Sequence, residues 1–135
     1  MKITVLTVIL LVLAVIIAVG SVTVLGPCVH EDGSEAPCTG TGRAILADGI
    51  LLAVLSVFLL FIKAPKMRLI LFMITAVAAL AGILMPGTLL PVCKMDTMHC
   101  RMVMQPAIII LFALALLTSA CGTMAEIRKN RKHGK

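Results

Sequence analysis

Long runs without charged side chains constrain this chain more than any other feature. Residues 3–25, 69–90 and 106–125 contain no charge, and residues 44–62 contain only Asp48. A hydrocarbon layer about 30 Å thick needs about 20 apolar residues in a helix that rises 1.5 Å per residue. Hydrophobic residues make up 61% of the 135-residue chain, against about 45–50% in soluble domains. The sequence therefore predicts an all-α membrane protein, a bundle of four transmembrane helices.

The four spans and their connections are predicted to form one membrane domain, residues 1–135. Residues 26–43 and 91–105 are predicted loops on one side of the membrane, and residues 126–135 a tail on the other. These segments are too short for a separate soluble core. We expect the first span to be retained, because it is longer than the roughly 7–15 apolar residues of a cleaved signal.

Basic residues are concentrated at the ends that four antiparallel crossings bring together. Lysine and arginine in short loops mark the cytoplasmic side. The cations on this side are Lys2, Lys63, Lys66, Arg68, Arg128, Lys129, Arg131, Lys132 and Lys135, and those on the other are Arg43, Lys94 and Arg101. Both termini are therefore predicted to be cytoplasmic. We interpret the basic tail as a topology signal that contacts anionic lipid, and we predict no nucleic acid partner.

Four of the five cysteines fall in the two predicted outer loops, where an oxidising compartment allows them to pair. Of the three possible connectivities, we favour Cys28 with Cys38 and Cys93 with Cys100, because each closes a short local loop. Each closure contributes about 2.5 kcal/mol in the chain-entropy model. The prediction is two disulfide-stapled outer loops. Cys121, near the cytoplasmic end of the last span, is predicted to be a small buried apolar residue.

The two halves of the chain repeat one order of features. In each half a span ends, two cysteines follow, and an alanine, Ala44 or Ala107, opens the next span. Because each half crosses the membrane twice, both halves point the same way, related by an axis along the membrane normal. We therefore predict that the bundle is built from two parallel two-helix repeats.

Asp48 is the only acid inside a predicted span. A charge at the bilayer centre costs about 2.5–3.5 kcal/mol on insertion scales. Its place near the outer boundary favours an interaction with water or with an outer cation, Arg43 or Arg101, over a role in transport. Small residues at 76–82 of the third span suit close helix packing. They fit the interior of the bundle and a surface for another membrane protein equally well.

Soft metal ligands are gathered in the second outer loop. Met95, Met98 and His99, with His30 of the first loop, are a ligand set that suits Cu(I) or a haem-related group. The simpler interpretation is that the methionines pack against lipid and the histidines are solvated, so no cofactor is predicted. Thiol redox chemistry is disfavoured, because neither cysteine pair has the Cys-x-x-Cys spacing that helps to lower a thiol pKa.

The second loop also carries the segment PVCKMDTMHCR, residues 91–101, followed by Pro106 and Ala107. In this segment, in its span count and in its paired cysteines, the chain resembles an uncharacterised bacterial four-span family catalogued only as domain of unknown function four-four-one-eight. The resemblance implies a multi-pass protein of the bacterial cytoplasmic (inner) membrane. Because genes of this family lie near those of ABC-type exporters, it also implies an exporter permease as partner. After Cys38 the chain departs from the family, since Thr39 stands where a histidine or an aromatic residue is usual.

We therefore expect a non-catalytic accessory subunit of a larger membrane complex, such as an ABC-type exporter. Its expected partners are the lipid bilayer and another integral membrane protein. Two alternatives remain open. One is an outer-face metal- or haem-related binding module, and the other is a membrane thiol oxidoreductase that uses Cys93 or Cys100.

Overall fold

A computed structural model describes residues 3–23, 38–85, 88, 102 and 105–134. These residues form four helices, which are α1 (Ile3–Val22), α2 (Cys38–Phe61), α3 (Pro65–Leu84) and α4 (Gln105–His133). In this part of the chain there is no strand. Each helix contains a stretch long and apolar enough to cross a membrane. The prediction of an all-helical membrane protein with four apolar helices is confirmed.

The connection between α2 and α3 follows from one proline. Pro65 occupies the first turn of α3, where its missing N–H is not needed. The preceding residue, Ala64, is extended, with φ −69° and ψ 120°, as is usual before proline. Residues 62–64 therefore form a tight turn, and α3 runs back beside α2.

Two helices extend beyond the predicted spans. Helix α2 begins at Cys38, inside the predicted first outer loop, and α4 continues through the predicted tail to His133. The hydropathy pattern ends where charges begin, whereas the backbone hydrogen bonds of a helix continue into polar sequence. The tail is therefore part of α4 as far as His133.

The helices pack as a ring in which α1 contacts α2, α2 contacts α3, α3 contacts α4 and α4 contacts α1. The residues that α4 buries are spaced alternately by four and three positions, the pattern of a helix packed along a seam. They are Ile108, Phe112, Ala115, Ser119, Gly122 and Glu126. The same spacing holds for the buried residues of α1 from Thr7 to Ser21. One stripe of each of these helices faces the bundle axis.

Two glycines let α3 and α4 approach closely. A Cβ atom on Gly82 would lie 2.3 Å from the ring of Phe112, and one on Gly122 would lie 2.5 Å from the ring of Phe72. Both rings are fully buried. Each aromatic ring thus fills a notch in the opposite helix, and the two contacts fix the antiparallel register.

The small residues of the third span are used inside the bundle. Ala78, Ala79 and Gly82 are buried, and Gly82 lies against Phe112. Of the two interpretations that the sequence left open, the structure supports packing within the bundle. These three residues are therefore not available to another membrane protein.

Buried hydroxyl groups are satisfied within their own helices. Thr7, Ser56, Thr75 and Ser119 are fully buried, and each donates a hydrogen bond of 2.7–3.0 Å to the carbonyl oxygen four residues earlier. Such bonds remove most of the cost of placing a hydroxyl in an apolar interior. Hydrogen bonding within each helix is therefore enough to explain why these hydroxyl groups can be buried.

Candidate functional site

A buried ion pair links the start of α3 to the last turns of α4, at one end of the bundle. Nε of Arg68 lies 3.2 Å from Oε1 of Glu126, and the two side chains are 15% and 0% exposed. Glu126 follows Gly122 by four residues on the buried stripe of α4. Because Glu126 lies on the same face of α4 as Phe112 and Gly122, its carboxylate is also buried in the interior.

The contact is an ion pair without hydrogen-bond geometry. Among the described residues, neither oxygen of Glu126 has a hydrogen-bond partner, and neither has Nε of Arg68. The partly exposed Arg68 is thus the cation that balances a carboxylate removed from water. Removing one partner of such a pair costs more than removing both, because the remaining charge stays buried.

Sequence reasoning missed Glu126 because it lies one residue beyond the apolar run 106–125 and was assigned to the tail. The signal that would have found it is the four–three spacing of α4, which extends from Ile108 through Gly122 to this position. Cys121 was predicted to be buried, and this prediction is wrong. Cys121 is exposed with a free thiol, because the buried stripe of α4 passes through Ser119 and Gly122 and leaves position 121 on another face of the helix.

Asp48 is 7% exposed and lies on α2. The next residue, Gly49, is packed against α1, since a Cβ there would lie 3.1 Å from Cγ2 of Ile17. Oδ2 of Asp48 has no hydrogen-bond partner among the described residues. Asp48 is therefore a buried acid close to the α1–α2 contact, about one turn from the end of α1.

Replacing Asp48 with Asn should leave the stability of the bundle unchanged or raise it by about 1–3 kcal/mol, because it removes a buried charge whose Oδ2 has no hydrogen-bond partner in the described part of the chain. Reversible unfolding of the purified protein in detergent measures the change. Ser56→Ala, on the same helix, is the control for loss of a satisfied polar group, with an expected cost of about 1 kcal/mol. A destabilisation by Asp48→Asn of more than 1 kcal/mol would show instead that the charged carboxylate holds a partner.

Cations are collected at one end of the bundle in the described part of the chain. The α2–α3 turn, the start of α1 and the last turns of α4 meet at this end, as the Arg68–Glu126 contact and the groove lined by both Leu6 of α1 and Arg128 of α4 show. The cations there are Lys63, Lys66, Arg68, Arg128, Lys129, Arg131 and Lys132. Arg43 lies near the start of α2, at the opposite end.

The surface of α1 carries a second stripe with regular spacing. It consists of Val5, Val8, Val12, Val15, Val19 and Val22, which are 45–60% exposed. Their spacing alternates between three and four, like that of the buried stripe of the same helix. We call these six residues the outer valine face.

An apolar groove of about 480 Å³ lies between α1 and α4. On α1 it is lined by Leu6 and Ile9, and on α4 by a stripe that begins at Leu114 and ends at Arg128. We call it the α1–α4 groove. The hydroxyl of Thr118, which lines it, donates to the carbonyl oxygen of Leu114 at 2.7 Å, so its polarity is already satisfied.

The predicted outer-loop sites lie outside the described residues. This applies to Cys28, Cys93, Cys100 and the side chain of Cys38, and to the proposed metal ligands His30, Met95, Met98 and His99. Within the described ranges no three histidine, cysteine, aspartate or glutamate side chains are grouped to hold a metal ion. Disulfide pairing, metal binding and thiol redox chemistry therefore stay predictions.

Comparison with known proteins identifies the family. No curated protein and no solved structure matches the chain. A family model described as a domain of unknown function (DUF4418) matches residues 10–125, which include most of α1, all of α2 and α3, and α4 as far as the residue before Glu126. Because this match covers most of the sequence, the chain belongs to the DUF4418 family.

Proposed function

We propose that this protein is a non-catalytic accessory subunit of a larger membrane complex, and that the outer valine face of α1 binds the partner. The observation that carries the proposal is an exposed seam made of valine alone, on a helix whose buried seam is already filled. Helices that present apolar residues at alternating spacings of three and four pack against another helix through that stripe. The outer valine face has this form, and none of the four described helices covers it.

Valine suits such a contact for a physical reason. In a membrane, helices associate through close packing, since lipid tails are as apolar as the side chains they would replace. A valine in a helix strongly prefers one χ1 rotamer, so little side-chain freedom is lost when a partner covers it. Six valines therefore form a stiff surface that a complementary helix can cover with a small entropic cost.

The exposed faces of α2 and α3 contain more varied side chains than that of α1, where the exposed apolar residues beside the six valines are Ile9 and Ile16, which are also β-branched. The exposed side chains of α3 include Met67, Ile70, Met73 and Leu80, which mix flexible and branched shapes. The exposed positions of α2 include Leu51, Val54, Val57 and Phe58. These faces have the same helical spacing but mixed side-chain shapes, which suit contact with fluid lipid. We therefore assign α1, with its uniform stripe of valines, to the partner.

We further propose the finer topology in which both termini are cytoplasmic and the outer loops are stapled by disulfides in a bacterial inner membrane. The collection of cations at one end of the bundle supports the orientation. The parallel repeat is supported by Ser56 and Ser119, which occupy similar buried places in α2 and α4 and bond to the carbonyl four residues back. Under this proposal the partner is an integral protein of the same membrane, with an ABC-type permease as the first candidate.

The double substitution Val12→Phe and Val15→Phe tests the proposal, because it keeps the outer valine face apolar but destroys its shape. Tagged protein at native expression, extracted in mild detergent, should retain a stoichiometric membrane partner. The substitution should reduce the retained partner at least about tenfold, the effect of losing roughly 1.4 kcal/mol of packing. Quantitative mass spectrometry of the purified complex measures it.

The matched control is Val54→Phe with Val57→Phe on α2, which makes the same change at the same spacing on another exposed face. It should leave the partner bound. Recovery of wild-type protein as a clean monomer or homo-oligomer from native membranes would overturn the proposed function. Equal loss of partner in both double variants would overturn the assignment to α1.

A further inference from the structure

The α1–α4 groove has the form of a binding site for one amphiphilic molecule. It is bounded by apolar side chains, including Leu6, Ile9, Leu117 and Met124. Among the described residues, Arg128 is the one charged residue that lines the groove, and it is the last of the lining residues along α4. An apolar channel that ends at a cation is complementary to a molecule with a long hydrocarbon chain and an anionic head.

The stripe of α4 that lines the groove changes character at Arg128. Its lining residues recur every three or four positions from Leu114, so they lie on one face of the helix. The same spacing leads from Arg128 to Arg131 and Lys132, which are exposed. One helix face is thus apolar for about 20 Å and then carries a cluster of cations.

We propose that the α1–α4 groove binds one anionic phospholipid, with an acyl chain against the apolar lining and the head-group phosphate on Arg128. The groove opens towards the surrounding bilayer, since Ile9, Leu114 and Leu117 are exposed on the outside of the bundle. Arginine donates paired, charge-assisted hydrogen bonds to phosphate oxygens, and Lys132 adds charge on the same face. The site is separate from the outer valine face and does not depend on the proposed partner.

The experiment is native mass spectrometry of the full-length protein after titration with phosphatidylglycerol and, separately, with phosphatidylcholine of the same chain length. Wild-type protein should retain one phosphatidylglycerol with at least about tenfold preference over phosphatidylcholine. Arg128→Gln should abolish most of this preference, a loss of about tenfold in affinity for a charge-assisted contact. Lys66→Gln removes a cation that is exposed at the same end of the bundle but outside the groove, and it should have no effect.

The acyl-chain half of the site is tested by filling the groove. Leu117→Trp places a large ring among the lining residues, whereas Ile110→Trp adds the same ring to an exposed position of α4 that does not line the groove. The first variant should lower retention of phosphatidylglycerol at least about fivefold, and the second should not. Equal binding by both variants would overturn the placement of the chain.

A soluble competitor distinguishes a lipid from a free phosphate. Glycerol phosphate at millimolar concentration should fail to displace the lipid, because it lacks the chain that occupies the groove. Displacement would show a phosphate site without chain recognition and would overturn the proposal. Equal retention of phosphatidylglycerol and phosphatidylcholine by the wild-type protein would do the same.

Discussion

Replacing Arg68 with Met should destabilise the bundle by about 3–5 kcal/mol, because it leaves the fully buried carboxylate of Glu126 without its cation. Methionine retains most of the apolar stem, so packing changes little. Glu126→Leu should cost less, about 1–2 kcal/mol, since Arg68 is partly exposed and can turn its guanidinium towards water. Equilibrium unfolding in detergent provides both values.

The double variant Arg68→Met with Glu126→Leu is the decisive arm of this experiment. Replacing both members of a buried pair by apolar side chains of similar volume is often neutral, so the double variant should lie within about 1 kcal/mol of wild type. Lys66→Met, at an exposed position of the same helix, should change stability by less than about 0.5 kcal/mol. Additive costs in the double variant would contradict an energetic coupling between Arg68 and Glu126.

The second large effect is expected at Gly82. Substitution by valine places a branched side chain where even one Cβ would lie 2.3 Å from the ring of Phe112. Since Phe112 is fully buried, the ring cannot swing into free space, and overpacking should cost about 3 kcal/mol. The same detergent unfolding assay measures the loss.

Gly40 supplies the matched control, since an added Cβ would meet no described residue within 4 Å. Gly40→Val should therefore stay within about 0.5 kcal/mol of wild type. The double variant Gly82→Val with Phe112→Ala moves the large side chain from α4 to α3. This matches the α1–α2 contact, where Ile17 of the earlier helix faces Gly49 of the later one. The double variant should recover at least half of the lost stability, and no recovery would mean that the notch does not fix the α3–α4 contact.

Much of this fold could be predicted from the sequence because hydrocarbon imposes a simple requirement on the chain. Four apolar runs of sufficient length must form helices, since backbone groups in a bilayer can be satisfied only within a helix or a closed barrel. Four antiparallel crossings also predicted which helix ends lie together, whereas the cytoplasmic assignment of those ends from lysine and arginine stays a prediction. These inferences depend on composition over many residues and are insensitive to the position of any one side chain.

The features that hydropathy did not reveal depend on which face of its helix each residue occupies. Glu126 and Cys121 are five residues apart, and hydropathy alone places the acid in the tail and the thiol in the interior. The buried stripe of α4, which passes through Ser119 and Gly122, buries the acid and leaves the thiol exposed, so both assignments are reversed. The α1–α4 groove and the outer valine face were also missed, because each follows from knowing which stripe of a helix is already buried.

Photo-crosslinking from position 12 in native membranes tests the central claim most directly. A photoreactive amino acid in place of Val12, at the middle of the outer valine face, should form a discrete adduct with one other membrane protein. The same group in place of Val54, on α2, should label only lipid. Adducts with lipid alone from position 12, or with a second copy of this chain, would contradict the account of the protein as an accessory subunit that docks through α1.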